Sequence, residues 1–196
     1  MKVIEETYKW ARTNFTKQKP DTIVIHHAAY PNCSAQDVHR WHLTRGWKGI
    51  AYHYFIRKDG SIYRGRQESH QGGHLLGSEN KKTIGICLEG NYDKEKEVPE
   101  AQMNALFWLC NDIETRWKIK AYKKHADYQS AKNDKKMCPG IYFPWDKFIG
   151  NIDIVHYKTV IQSHVKLDAP ELLWELFDKH PYYRDLYKKI SDSYKR

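Results

Sequence analysis

TIVIHHAAY, from Thr22 to Tyr30, begins with β-branched residues in almost unbroken succession and closes on two histidines. An apolar run of this length reads as a strand buried on both faces, inside a sheet that helices cover. Neighbouring side chains on a strand point to opposite faces, so His26 and His27 cannot both reach one point. One is expected to serve a site, the other its surroundings or the core.

Far downstream lies HADYQSAKNDKKMCPG, from His125 to Gly140. Two imidazoles and a thiolate, His26, His125 and Cys138, would give a borderline-soft cation three ligands and leave a fourth position for water. A closed structural zinc site takes four protein ligands, usually in close Cys/His pairs, and no such pairs occur here. The constellation therefore points to a catalytic zinc ion (Zn2+). Singly, each residue has a plainer reading: a strand histidine is ordinarily hydrogen-bonded in the core, and a cysteine is ordinarily a small buried hydrophobe.

The chain around these stretches alternates helix and strand signals. Apolar groups at Val3, Ile4, Tyr8, Ala11 and Phe15 predict an amphipathic helix over 3–15, ended by Pro20-Asp21. Ser34, with Asp37 three residues on, predicts a capped helix carrying Val38, Trp41 and His42 and stopping before Gly46. IAYHYFIRKDGSIYRGR, from Ile50 to Arg66, is a hairpin across Lys58-Asp59-Gly60 with Tyr52, Tyr54 and Ile56 on one face. ESHQGGHLLGSEN is a loop, and KTIGICLEGNY is a second buried strand with Cys87 and Glu89 on a common face. Pro99 opens a helix to about Arg116 whose apolar stripe includes Met103, Leu106, Leu109, Cys110 and Ile113. A strand before His125 and a brief helix from Pro144 to Ile149 follow.

The fold expected is α/β: a single mixed β-sheet flanked by helices, mixed because a hairpin is antiparallel. His26 and His125, each at the end of a strand, would meet at one edge of that sheet. The catalytic domain spans 1–150. Residues 151–196 are expected to form a helical C-terminal extension, with a capped start at Asp168-Ala-Pro-Glu171 and a second helix from Pro181 to about Tyr194.

Composition narrows the class. With 196 residues, 14% aromatic and 29% charged, the chain has the material for a globular core. No apolar run is long enough for a membrane span, and MKVIEETYKWARTNF lacks the uninterrupted apolar segment of a signal peptide. The chain is thus expected to be made in a cytoplasm. Cys33, Cys87, Cys110 and Cys138 are too widely and irregularly spaced for a disulfide framework and read as reduced. Of the net charge of +9, residues 151–196 hold almost none, having eight Lys/Arg against seven Asp/Glu. Residues 116–136 carry eight basic and two acidic groups, which favours an anionic substrate or surface, although a solvated basic face is equally consistent. Charge and aromatics also raise nucleic-acid binding, but no groove-reading motif is present and no nucleic-acid partner is expected.

IVIHHAA, RWHLTRGW, IAYHYFIRKDGSIYRGR, GGHLLGSENKKTIGICLEG and the H-x12-C spacing of His125 and Cys138 together resemble, over residues 20–150, the zinc-dependent N-acetylmuramoyl-L-alanine amidases. This family takes in phage lysozyme-type amidases and peptidoglycan recognition proteins. The resemblance implies zinc on His26, His125 and Cys138, catalytic roles for Tyr52 and Lys136, and a substrate-binding, cleft-lining role for His74. It implies hydrolysis of the amide between N-acetylmuramic acid and L-alanine in peptidoglycan. Cys87 stands where many bacterial members have Glu; phage-type members also lack that Glu, and Glu89 is a secondary candidate for a base. A phage-type endolysin is the leading role, made in the host cytoplasm and reaching the wall when a separate holin pore opens the membrane. The alternatives are a cytosolic amidase recycling muropeptides and a noncatalytic peptidoglycan-binding module, which typically lacks the Cys ligand that this chain keeps.

Overall fold

Thr83–Leu88 is buried at every position and Thr22–His27 at all but its first, and these two strands lie side by side at the centre of a six-stranded sheet. The computed structural model describes residues 1–152. In chain order its strands are β1 (Val3–Glu5), β2 (Thr22–His27), β3 (Tyr54–Ile56), β4 (Ile62–Arg64), β5 (Thr83–Leu88) and β6 (Ala121–Lys124). Their spatial order is β1-β4-β3-β5-β2-β6. The β3–β4 hairpin is antiparallel and every other pair is parallel, so the sheet is mixed, as the sequence predicts.

Helices α1 (Ala35–Thr44) and α2 (Glu100–Glu114) cover the sheet, and α3 (Gln129–Asn133) lies in the loop after β6. Ser34 caps α1 in a full capping box, its hydroxyl accepting the Asp37 N–H while the Asp37 carboxylate accepts the Ser34 N–H. Val38 and Ala35 of α1 pack with Phe55 and Cys87, which are register partners on β3 and β5. α2 buries Met103, Leu106, Leu109, Cys110 and Ile113, close to the predicted stripe. It adds Gln102, whose amide donates to the Ile56 and Glu89 carbonyls at the end of the strands.

The N-terminal helix expected over 3–15 is absent. Val3–Glu5 instead pairs in parallel with Ile62–Arg64 at the sheet edge, and Arg64 Nε donates to Glu5 at 2.7 Å. Beyond it Tyr8 stacks on His39 and Trp10 packs edge-on to Phe15. Helical spacing of apolar residues here serves extended backbone, because an open sheet edge offers hydrogen bonds and α1 offers rings to pack on.

The described residues divide between two units at Pro144, with 145–152 helical in the second. The helices expected after Asp168 and from Pro181 lie outside the described residues.

Candidate metal centre

The parallel strands β2, β5 and β6 all end on the same side of the sheet, the edge where open α/β sheets gather ligand-binding groups. Ile25 of β2 is in register with Lys124 of β6, so the next residues, His26 and His125, leave the sheet together. Their ring centroids are 4.7 Å apart. The loop from 125 to 138 folds back on its start through the Ala126 N–H, which donates to the Cys138 carbonyl at 2.9 Å. That bond brings the thiol to the two rings. The sulfur lies 3.8 Å from His26 Nδ1, and one ligand atom from each of His26, His125 and Cys138 falls within 4.8 Å of the others.

The donor set suits a borderline-soft divalent ion. Burial, reinforced by His74 and His125, holds the His26 imidazole well below its usual pKa, and burial with Lys136 nearby lowers His125 to about 4. Both rings are neutral near pH 7 and offer a lone pair. Burial pushes the Cys138 thiol up to about 12, while the His27 N–H, donating to its sulfur at 3.4 Å, and Lys136 act in the opposite sense. Two neutral imidazoles and a thiol that loses its proton on metal binding match the three-ligand sets of open zinc sites. Among the described residues no other His, Cys, Asp or Glu groups of three or more come together in this way.

The second strand histidine is a support. His27 Nδ1 accepts the Tyr92 N–H at 3.0 Å and its Nε2 faces Asp93 at 3.7 Å. Tyr92 in turn accepts the Tyr142 N–H, and Asp93 accepts the Ile141 N–H. The segment after Cys138 is thereby fastened to β2 and to the turn after β5.

Tyr52 precedes the hairpin, its ring 5.1 Å from that of His26. Two histidines one turn apart on α1 fix its backbone: His39 Nδ1 accepts the Ile50 N–H and His42 Nδ1 accepts the Ala51 N–H, at 3.0 and 3.1 Å. Burial, with Cys87 nearby, raises the pKa of the Tyr52 hydroxyl well above the usual value. Lys136 is exposed, paired with Asp134 at 2.7 Å, and lines the cleft beside His125. Glu89 is no base. Its buried carboxylate is taken up by the Cys33 and Lys58 N–H groups and by Arg57.

The cleft has two lobes of about 630 and 460 Å³ that share Trp47, Gly73, His74, His125 and Lys136. Tyr52 and Cys138 line the smaller lobe. His74 forms wall in both, but the residue is only 6% exposed, and both ring nitrogens have protein partners. Arg66, within the hairpin motif but not singled out by it, lines the larger lobe. It gives Nε to the Ile50 carbonyl and Nη1 to the Gln71 carbonyl, and no carboxylate among the described residues pairs with it. Burial lowers its pKa to about 10, which leaves it charged at neutral pH. Arg57, Lys58 and Arg64 stand in the same motif, so the sequence offered no signal that singled out Arg66.

Known proteins are similar to this chain in sequence and in fold. The sequence profile described as N-acetylmuramoyl-L-alanine amidase matches residues 16–141. The endolysin of Klebsiella phage KP32 is 29% identical over 147 residues, 70% of this chain and 93% of the relative. That of Enterobacteria phage K11 is 30% identical over 138 residues, 66% of this chain and 87% of the relative. The solved structure of N-acetylmuramoyl-L-alanine amidase LysC from Clostridium intestinale URNW superposes with a TM-score of 0.70 at 37% identity, covering 78% of this chain and 98% of that one. With the profile spanning most of the described residues and these relatives matched nearly end to end, the chain belongs to the N-acetylmuramoyl-L-alanine amidase family.

Proposed function

We propose that this protein hydrolyses the amide between the lactyl group of N-acetylmuramic acid and L-alanine in peptidoglycan, as a phage-type endolysin with one zinc ion on His26, His125 and Cys138. The observation that carries the reading is the meeting of those three ligand atoms, within 4.8 Å, with His125 and Cys138 lining the same cleft lobe as Tyr52 and Lys136 and His26 buried behind them. Three protein ligands leave a coordination position for water, the arrangement of a hydrolytic centre.

Amide hydrolysis needs a nucleophile, charge stabilisation at the carbonyl oxygen and a proton for the departing amine. Zinc bound there supplies a water acidic enough to lose a proton near neutrality, and positive charge beside the carbonyl. The Tyr52 hydroxyl, kept protonated by its burial, donates a hydrogen bond to the carbonyl oxygen as that oxygen gains negative charge. Lys136, which lines the same lobe, adds positive charge to the same oxygen, and its ammonium can give a proton to the departing amine. Arg66 offers a fixed cation in the other lobe for a carboxylate of the peptide stem. The bulk of the cleft thus reads the peptide, and the metal floor cuts at its first residue.

Resemblance to phage endolysins favours lysis over muropeptide recycling. In that role the protein accumulates in the host and meets the wall once a separate pore opens the membrane. The test is incubation with purified peptidoglycan, with and without a chelator, followed by assays of new alanine amino groups and of reducing sugars. Amino groups that appear only without chelator support the proposal. New reducing sugars, or amino-group release indifferent to chelator, would overturn it.

A further inference from the structure

Behind His26 runs a chain of hydrogen bonds. His26 Nε2 is 3.0 Å from His74 Nδ1, His74 Nε2 is 3.3 Å from Thr83 Oγ1, and Thr83 Oγ1 is 2.8 Å from the Asn80 carbonyl. The last link fixes the direction of all the others. A carbonyl only accepts, so the Thr83 hydroxyl gives its hydrogen to Asn80 and accepts from His74. The hydrogen of His74 is then on Nε2 and its Nδ1 is bare, so His26 must donate from Nε2. What remains on His26 is the Nδ1 lone pair, on the side of the Cys138 sulfur 3.8 Å away.

The ring of His74 is seated by design of the backbone around it. A Cβ at Gly72 or at Gly85 would collide with its imidazole. The loop that carries it is closed by Asn80, which accepts the Leu75 N–H at 2.9 Å and donates to the Leu75 and Gly77 carbonyls. Neither ring nitrogen of His74 is left over for a ligand in the cleft.

We propose that His74 and Thr83 are positioning residues for the metal centre: the Asn80–Thr83–His74 chain fixes the orientation of His26 so that Nδ1 faces the cation, and Gly72 and Gly85 shape the slot that makes this possible. This rests on His26 being a zinc ligand as proposed above. Outer partners of this kind typically contribute a factor of about 10 to 100 in metal affinity.

The test is zinc affinity by competition with a chromophoric chelator, on the wild type and on Thr83→Val, Thr83→Ser, His74→Phe and Gly85→Ala, with thermal unfolding of each metal-free protein alongside. Thr83→Val keeps shape and removes the acceptor, and is expected to weaken zinc by about tenfold or more, whereas Thr83→Ser stays within about twofold of wild type. His74→Phe and Gly85→Ala are expected to weaken it at least as much as Thr83→Val. A wild type that binds no zinc would sink the hydrolase reading itself. A wild type that binds zinc, with Thr83→Val and His74→Phe binding equally well, would overturn only the positioning role. A second readout needs no variant: two-bond proton–nitrogen NMR correlations of the His26 ring are expected to place its hydrogen on Nε2, and a hydrogen on Nδ1 would overturn the proposal.

Discussion

At Cys138 the sulfur accepts the His27 N–H at 3.4 Å and sits 3.8 Å from His26 Nδ1, so it is held before any ion arrives. Replacing it with serine exchanges a thiolate for a neutral hydroxyl, and Cys138→Ser should weaken zinc by more than about 100-fold, beyond the range of an outer partner. Competition with a chelator measures it. Lys136 differs in kind, being exposed and paired with Asp134. Lys136→Ala should leave zinc affinity unchanged and lower turnover on peptidoglycan by about 100-fold or more, the scale of one lost oxyanion-stabilising group. The residue types of the centre were legible in the sequence because a strand period of two separates His26 from His27 and because His125 and Cys138 flank one loop. Which strand histidine faces the centre was not decided by the period; the family pattern chose His26, and the geometry shows why, with His27 held by the Tyr92 N–H. Glu89 could not be dismissed from sequence, since its partners Cys33 and Lys58 are far away along the chain.

Elements position the centre through backbone contacts that leave little trace in composition. Gly140 has φ +112 and lies against the Tyr92 backbone, where a Cβ would collide. Gly140→Ala is expected to cost about 1–3 kcal/mol in unfolding free energy and to loosen zinc through the displaced Cys138 loop, seen as a lower denaturant midpoint and a higher zinc Kd. The far side of the sheet is tied by Glu68, a buried carboxylate that accepts from Tyr54, Arg116 and Trp117 Nε1. Burial alone would raise its pKa from 4.5, but the hydrogen bonds from Arg116, Tyr54 and Trp117 outweigh it and the net shift is downward. A lowered folded value means that the stabilisation is complete above about pH 4.5 and is lost as pH falls through the folded value. Glu68→Gln should therefore lose about 2 kcal/mol at pH 7 and show a flatter acid limb in stability against pH, followed by denaturant unfolding. The hairpin, the Ser34 cap and the α2 stripe were readable because each signal is local. The N-terminal strand was not, because its partner Ile62–Arg64 supplies the hydrogen bonds and no local pattern announces that edge.

Over the whole molecule, the basic excess and the cleft agree. Residues 116–136, with eight basic and two acidic side chains, run from the end of α2 through β6 to the metal loop, and Arg66 adds a buried cation to the cleft wall. An anionic wall polymer is attracted to such a face and the attraction weakens with salt. No helix among the described residues is long and apolar enough to cross a membrane. All the residues assigned to metal, catalysis and support lie before Pro144, in the first unit. The proposed hydrolysis depends on one zinc ion with three protein ligands, and X-ray absorption at the zinc edge of the metal-loaded protein tests it most directly. Two nitrogens at about 2.0–2.1 Å, one sulfur at about 2.3 Å and one further light atom that changes when a competing anion is added are the predicted shell. A shell without sulfur, or one with a fourth protein ligand that no added anion displaces, would contradict it.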